Sequence, residues 1–234
     1  MEILVDYDNI QSEFTRGGLF ALCTRIGETV GTIQDSVPSR CRVRLYGGWY
    51  DANQFTRSAQ RLSAEIDETF PGTIRWAAKS GAGQCPTQVE MAFSLEADPR
   101  RHLFHTLRVR RFSAMLRCDT QVFDACEELY CPMREVAEFV TQQRCPGNGC
   151  NVRQIDVLRK SEQKLVDTML VSDLVFLATQ GQRELVVVSS DDDIWPGIRT
   201  AVQLGARVTQ LHTSDRETPA DYTRGVTNFW QLAL

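Results

Sequence analysis

Leu185-Val186-Val187-Val188, followed at once by Ser189-Ser190-Asp191-Asp192-Asp193, is the stretch that decides the fold. Four consecutive apolar residues mark a strand buried on both faces, and such strands belong to parallel sheets. On the N-terminal side, Glu162 to Ala178 carries Leu165, Met169, Leu170, Leu174 and Leu177 at helical spacing. On the C-terminal side, a helix is expected from about Trp195 to Leu204, stopped by Gly205, and a strand from Arg207 to Leu211. The alternation predicts an α/β fold with a mostly parallel sheet.

The beginning of the chain repeats the pattern. Ile3-Leu4-Val5 is a short apolar run ending in Asp6-Tyr7-Asp8-Asn9. A helical stretch from about Gln11 to Val30, interrupted at Gly17-Gly18, precedes a strand at Arg42 to Tyr46. Helical spacing then covers Asn53 to Phe70, and Thr73 to Ala78, Val89 to Leu95 and Leu103 to Phe112 read as strands. Residues 113–152 hold short helices at Val122 to Tyr130 and Pro132 to Gln142 and are expected to be a cysteine-bearing insertion within a single 1–234 domain.

Composition narrows the function. The 234 residues are 42% hydrophobic and carry a net charge of −4, which argues against a general basic nucleic-acid binder and leaves room for local patches. No apolar run approaches the roughly 18–20 residues of a membrane span. Without a basic start and a cleavage site at the N-terminus, the expected location is the cytoplasm, with no membrane partner.

Two apolar strands therefore end in acids, at Asp6 and at Asp191 to Asp193. In an open parallel sheet, ligands bind beyond the carboxyl ends of the strands. If both strands are central, their tips converge. Asp167 and Asp173 lie on the preceding helix, but six residues place them about 120° apart, so only one can face the same spot; Asp167 is the choice. Gathered carboxylates repel and are pushed toward protonation unless a cation offsets them. An all-oxygen set suits Mg²⁺ or Mn²⁺, and such an ion supports phosphodiester hydrolysis. The structural alternative for a single aspartate, Asp8 or Asp193, is a helix N-cap.

The same residues carry a family likeness. Leu4-Val5-Asp6-Tyr7-Asp8-Asn9 resembles the opening of NYN domains, a branch of the PIN-like nucleases. Lys164-Leu165-Val166-Asp167, with Asp173 six residues on, resembles their K-x-x-D helix; Ser189-Ser190-Asp191-Asp192-Asp193-Ile194-Trp195-Pro196 resembles their S-x-D-x-D-x-x-P strand end. The resemblance implies a three-layer α/β/α sandwich that cuts RNA with Mg²⁺ or Mn²⁺ held by Asp6, Asp167, Asp191 and Asp193. It also implies that Asn9 orients Asp6 or the substrate, that Ser189 binds a phosphate or supports a metal ligand, and, by analogy, a homodimer that extends the groove. Asp8, Asp192 and Leu165 depart from the family pattern.

Other features have two readings each. Residues 99–118 contain six arginines; Arg108 and Arg110 share one strand face and either hold RNA phosphates or protect an edge strand. Cys131, Cys145 and Cys150, with Cys126 or Cys118, form either a structural Zn²⁺ site or a set of packed free thiols. Trp49-Tyr50 either stacks a base or packs beside its glycine turn, the latter favoured, and Phe229-Trp230 is read as core. Two competing functions remain. One is a haloacid-dehalogenase-like phosphohydrolase with Asp6 as nucleophile, although Asn9-Ile10 replaces the expected Gly-Thr. The other is a catalytically silent module binding RNA or protein.

Overall fold

The computed structural model describes residues 1–111, 131–163, 165–213, 223 and 225–234, with side chains 108–111 and 160–163 outside the description. Its strands and helices run β1 (Glu2–Asp6), α1 (Ser12–Thr15), α2 (Gly18–Gly31), β2 (Cys41–Tyr46), β3 (Tyr50–Asp51), β4 (Gln54–Phe55) and α3 (Arg57–Thr69). They continue as β5 (Gly72–Ala78), β6 (Gly81–Met91), β7 (Leu107–Arg111), α4 (Pro132–Gln142), α5 (Gln154–Val157) and β8 (Arg159–Gln163). The last elements are α6 (Val166–Thr179), β9 (Glu184–Val188), α7 (Trp195–Gln203), β10 (Arg207–His212) and β11 (Phe229–Ala233). The chain divides into two compact units, one of 1–107 with 163–234 and the other of 108–162.

The larger unit is mixed α/β. Its seven-stranded sheet has the order β11-β10-β9-β1-β2-β6-β5. Every neighbouring pair is parallel except β5 with β6. The period-2 alternation of a strand buried on both faces is visible in the central pair. Ile3, Val5, Val186 and Val188 enter one core cluster, with Leu22, Ile26 and Val30 of α2 and Leu62 of α3. Leu4, Leu185 and Val187 enter a second cluster, with Leu170 and Leu174 of α6 and Ile198 of α7.

Two glycines let α2 lie close on β5. A Cβ at Gly31 would overlap the carbonyl oxygen of Ala77, and one at Gly27 would stand 2.9 Å from that of Arg75. A rigid backbone cannot give way as a side chain would, so these positions must stay bare.

Several element boundaries differ from expectation. The Asn53–Phe70 helix begins only at Arg57, where Thr56 Oγ1 accepts the Ala59 N–H as N-cap. The residues before it form the β3–β4 hairpin, with Phe55 facing Tyr50. β6 starts eight residues before Val89, because Gly81, Gly83 and Pro86 conceal its first half. Glu162 and Gln163 end β8 instead of opening α6, which starts at Val166 after Leu165 at φ +69°. Trp230 sits on the last strand of the sheet and is 38% exposed, so it is not core.

The smaller unit holds α4, with Pro132 in its first turn as expected, and α5. The helix expected at Val122 to Tyr130 lies outside the described residues. Among the described residues no helix is long and apolar enough to cross a membrane.

Candidate active site at the tips of β1 and β9

From β1 the chain moves to β2 on one side, whereas β9, β10 and β11 proceed away on the other. The β1–β9 boundary is thus the point where strand order reverses, the place beyond the carboxyl ends where open parallel sheets bind their ligands. Val5 pairs with Val188, which makes Asp6 and Ser189 the next residues on neighbouring parallel strands. The contacts follow from that register. Ser189 Oγ donates to Asp6 Oδ2 at 2.9 Å, and the Asp191 N–H donates to the same Ser189 oxygen at 3.0 Å. Asn9 Nδ2 donates to Asp6 Oδ2 at 2.6 Å. One hydroxyl therefore links the acidic ends of two strands 183 residues apart in sequence.

Asp6 is 1% exposed. Burial pushes its carboxyl up to about 6 from the ordinary 3.8, against the hydrogen bonds from Asn9 and Ser189 and with the negative charges of Asp167 and Asp8 adding to the rise. Its second oxygen, Oδ1, is buried without a hydrogen-bond partner. Asp167 stands in the first turn of α6. Its side chain reaches solvent, yet its carboxyl is also raised, first by partial desolvation and then by the charges of Asp191 and Asp193. The electrostatic couplings thus connect Asp6 to Asp167, and Asp167 to Asp191 and Asp193.

Asp191 has a second duty: its Oδ1 accepts the Asp193 N–H at 2.8 Å and caps the turn of 3-10 helix at Asp192–Ile194. The N-cap alternative therefore applies to Asp191, rather than to Asp8 or Asp193. Asp8 accepts the Gly48 N–H at 2.6 Å, tying the end of β1 to the loop after β2.

Asp173 points elsewhere, as the rotation along its helix requires. It is fully buried and takes hydrogen bonds from Tyr46 Oη at 2.8 Å, Arg44 Nε at 3.3 Å and the Glu96 N–H at 2.7 Å. That carboxylate is a structural anchor between α6, β2 and the loop after β6.

Polar groups that sequence reasoning missed complete the tip. Thr213 Oγ1 donates to the Asn9 carbonyl at 3.3 Å and its N–H reaches Ser190 Oγ at 2.9 Å; Gln210 Nε2 holds the Ser189 carbonyl at 3.1 Å. The run of polar residues Thr209, Gln210 and His212 in a buried strand was the available signal.

The donor chemistry fits a hard divalent cation. The acids offer only oxygen, and Asp6 Oδ1 is a buried acceptor with no proton to receive. Among the described residues, no three His, Cys, Asp or Glu side chains stand close enough together to hold an ion as they are.

Of the remaining candidates, Arg108 and Arg110 lie on β7, and their side chains lie outside the described residues, as do Lys164, Cys118 and Cys126. Cys131, Cys145 and Cys150, in the smaller unit, are free thiols, and that of Cys150 is held below its ordinary value by the Val152 backbone and then by Cys145. Trp49 and Tyr50 are buried at 1% and 7%, the packed alternative. In comparisons with protein-family models, characterised proteins and solved structures, nothing matches this chain.

Proposed function

We propose that the chain is a metal-dependent ribonuclease that hydrolyses RNA phosphodiester bonds at the tips of β1 and β9. In this reading its sheet, with helices packed on alternate strand residues, is a three-layer α/β/α sandwich of the PIN-like kind. The observation that carries the reading is the Ser189 hydroxyl shared between Asp6 and Asp191 where the strand order reverses.

Asp6, Asp167, Asp191 and Asp193 would hold the Mg²⁺ or Mn²⁺. When bound, the ion supplies an activated water and offsets the charge that grows on the phosphate. Asn9 and Ser189 grip one oxygen of Asp6, which fixes its rotamer and leaves Oδ1 for the ion. Asp167 and Asp193 are exposed side chains, which change rotamer in picoseconds to nanoseconds and can turn toward a bound charge. At neutral pH the raised Asp6 carboxyl is mostly ionised; below about 6 a proton competes with the metal for it.

The test is purified protein with end-labelled single-stranded RNA, with Mg²⁺, with Mn²⁺ and with EDTA. Cleavage that needs the divalent ion and disappears in the double variant Asp191→Asn/Asp193→Asn, folded by circular dichroism, is the expected result. Cleavage that persists in EDTA or in the double variant refutes the assignment. So does intact RNA under every condition.

A further inference from the structure

The loop after β2 leaves the acidic tip and builds a ring cluster. Its start is tied to Asp8 through Gly48, as described above, and two residues later the Tyr50 N–H donates to Thr106 Oγ1 at 3.0 Å. The His105 N–H reaches the Ala52 carbonyl at 3.1 Å, and the Leu103 N–H reaches that of Phe93 at 2.7 Å. The Tyr50 and His105 bonds tie the β3–β4 hairpin to the 93–107 loop, and the Leu103 bond closes that loop on itself. Between them the rings form a continuous chain. Tyr50 lies 4.8 Å from Phe55 and 4.9 Å from Phe104, Phe93 lies 5.4 Å from Phe55 and 5.7 Å from His102, and His102 lies 6.2 Å from Phe104.

Burial within this cluster is divided. Tyr50 is 7% exposed and forms its floor. Phe55 and Phe104 are 38% and 41% exposed, and His102 is exposed as well. If these rings served only to pack the hairpin on the loop, an apolar cluster of this size would turn its rings inward. Instead three neighbouring rings present area to water. Arg100 and Arg101 immediately precede His102, and Arg57 follows Phe55 by two residues; all three are exposed and make no ion pair among the described residues. In a chain of net charge −4, this is an aromatic surface flanked by unneutralised cations, on a loop tied to the acidic tip of β1.

We propose that Phe55, Phe104 and His102 are a stacking platform for unpaired RNA bases, with Arg57, Arg100 and Arg101 holding the flanking phosphates. Every base has a π face, so such a surface takes single-stranded RNA with little sequence preference. It does not take duplex RNA, whose bases are stacked on one another and unavailable. The cations supply the salt-dependent attraction that offsets the repulsion of RNA by the acids at the tip of β1. The proposal deepens the ribonuclease reading and rests on RNA being the ligand: it makes the substrate of the acidic tip a single strand that approaches along the loop after β2.

The experiment measures fluorescence anisotropy of labelled oligouridine and of an RNA duplex with the full chain in EDTA, so that binding is read without cutting. Phe55→Ser and Phe104→Ser are each expected to weaken the single-strand complex by roughly five-fold or more, the low end for one lost stacked base. Phe104→Trp, which keeps a ring, is expected to restore it. The double variant Arg100→Gln/Arg101→Gln is expected to flatten the slope of log affinity against log salt by about 1.4, two phosphates' worth on a single strand. Thermal unfolding of each variant separates a lost platform from a lost fold.

The platform is overturned if folded serine variants bind oligouridine as the wild type does, or if the duplex binds as tightly as the single strand. It is likewise overturned if the wild type binds no single-stranded RNA. None of these results touches metal-dependent cleavage, which is read separately with Mn²⁺ on the small phosphodiester bis(p-nitrophenyl) phosphate. Ring-dependent binding with no cleavage of any phosphodiester leaves the platform standing and refutes the nuclease.

Discussion

Replacing Asp6 with asparagine is expected to stabilise the metal-free protein above pH 7 while destroying its site. The magnitude follows from the displaced proton affinity. Moving a carboxyl from 3.8 to about 6, at about 1.4 kcal/mol per tenfold, means that ionising Asp6 in the folded chain costs about 3 kcal/mol. The sign is set by where the proton prefers to be. Between pH 4 and 6 the folded state holds it more often than the unfolded state, so stability falls as pH rises through that window. Below about pH 3 Asp6 is protonated in both states and the cost is absent. Above pH 7 it is fully present. An asparagine in its place has no such titration. The advantage of Asp6→Asn over the wild type should therefore grow by about 3 kcal/mol between pH 3 and pH 7.5. In a chain of this length that is on the order of 6–12 °C in midpoint. The amide keeps an oxygen for Asn9 and Ser189, but its NH₂ faces the place where Asp6 Oδ1 has no partner. That fixed cost appears as the offset at pH 3 and drops out of the pH dependence. The assay is urea unfolding of both proteins at several pH values, in EDTA and again with Mn²⁺. The ion should raise wild-type stability at pH 7.5 and leave Asp6→Asn unchanged. A difference that stays flat from pH 4 to 8 would refute the reasoning that Asp6 is ionised under strain.

Removing the shared hydroxyl with Ser189→Ala should lower cleavage about 10- to 100-fold, the usual cost of losing a group that orients a metal ligand, with the far-UV spectrum unchanged. The two aspartates of α6 should separate cleanly. Asp167→Asn should abolish cleavage and leave the fold at least as stable, whereas Asp173→Ala should cost about 1–3 kcal/mol by leaving the buried Tyr46 hydroxyl and the Glu96 N–H without their acceptor, Arg44 keeping its pairs with Glu90 and Glu96. Gly31→Ala, which sets a methyl group against the Ala77 carbonyl, should cost at least about 2 kcal/mol in denaturant unfolding.

Local pattern revealed the elements that are buried on both faces or marked by proline. Ile3 to Val5, Leu185 to Val188 and Pro132 to Gln142 all stand where the residues suggested. It failed where two periods overlap. Phe55 and Ala59 lie four apart and mimic a helix face, yet Thr56 caps between them and Phe55 belongs to a hairpin. In β6, Cys85, Thr87, Val89 and Met91 are buried in strict alternation, a strand signal that the glycines and Pro86 obscured. Which strands are neighbours is a long-range property that no local window contains. For the same reason the meeting of Asp6 with Ser189 was conditional on two central strands being adjacent and parallel, which β1 and β9 are. The exposed rings were not legible: packing was the favoured reading of Trp49-Tyr50 and is what the burial shows, while Phe55 and Phe104 are brought to Tyr50 only by the tertiary fold.

The most direct measurement is the anomalous scattering map of crystals grown with Mn²⁺. An ion bonded to carboxylate oxygens of Asp6 and Asp191, at the carboxyl ends of β1 and β9, is the expected result. Mn²⁺ bound only elsewhere on the molecule, with water alone beside those carboxylates in a protein that still cuts RNA, would contradict it.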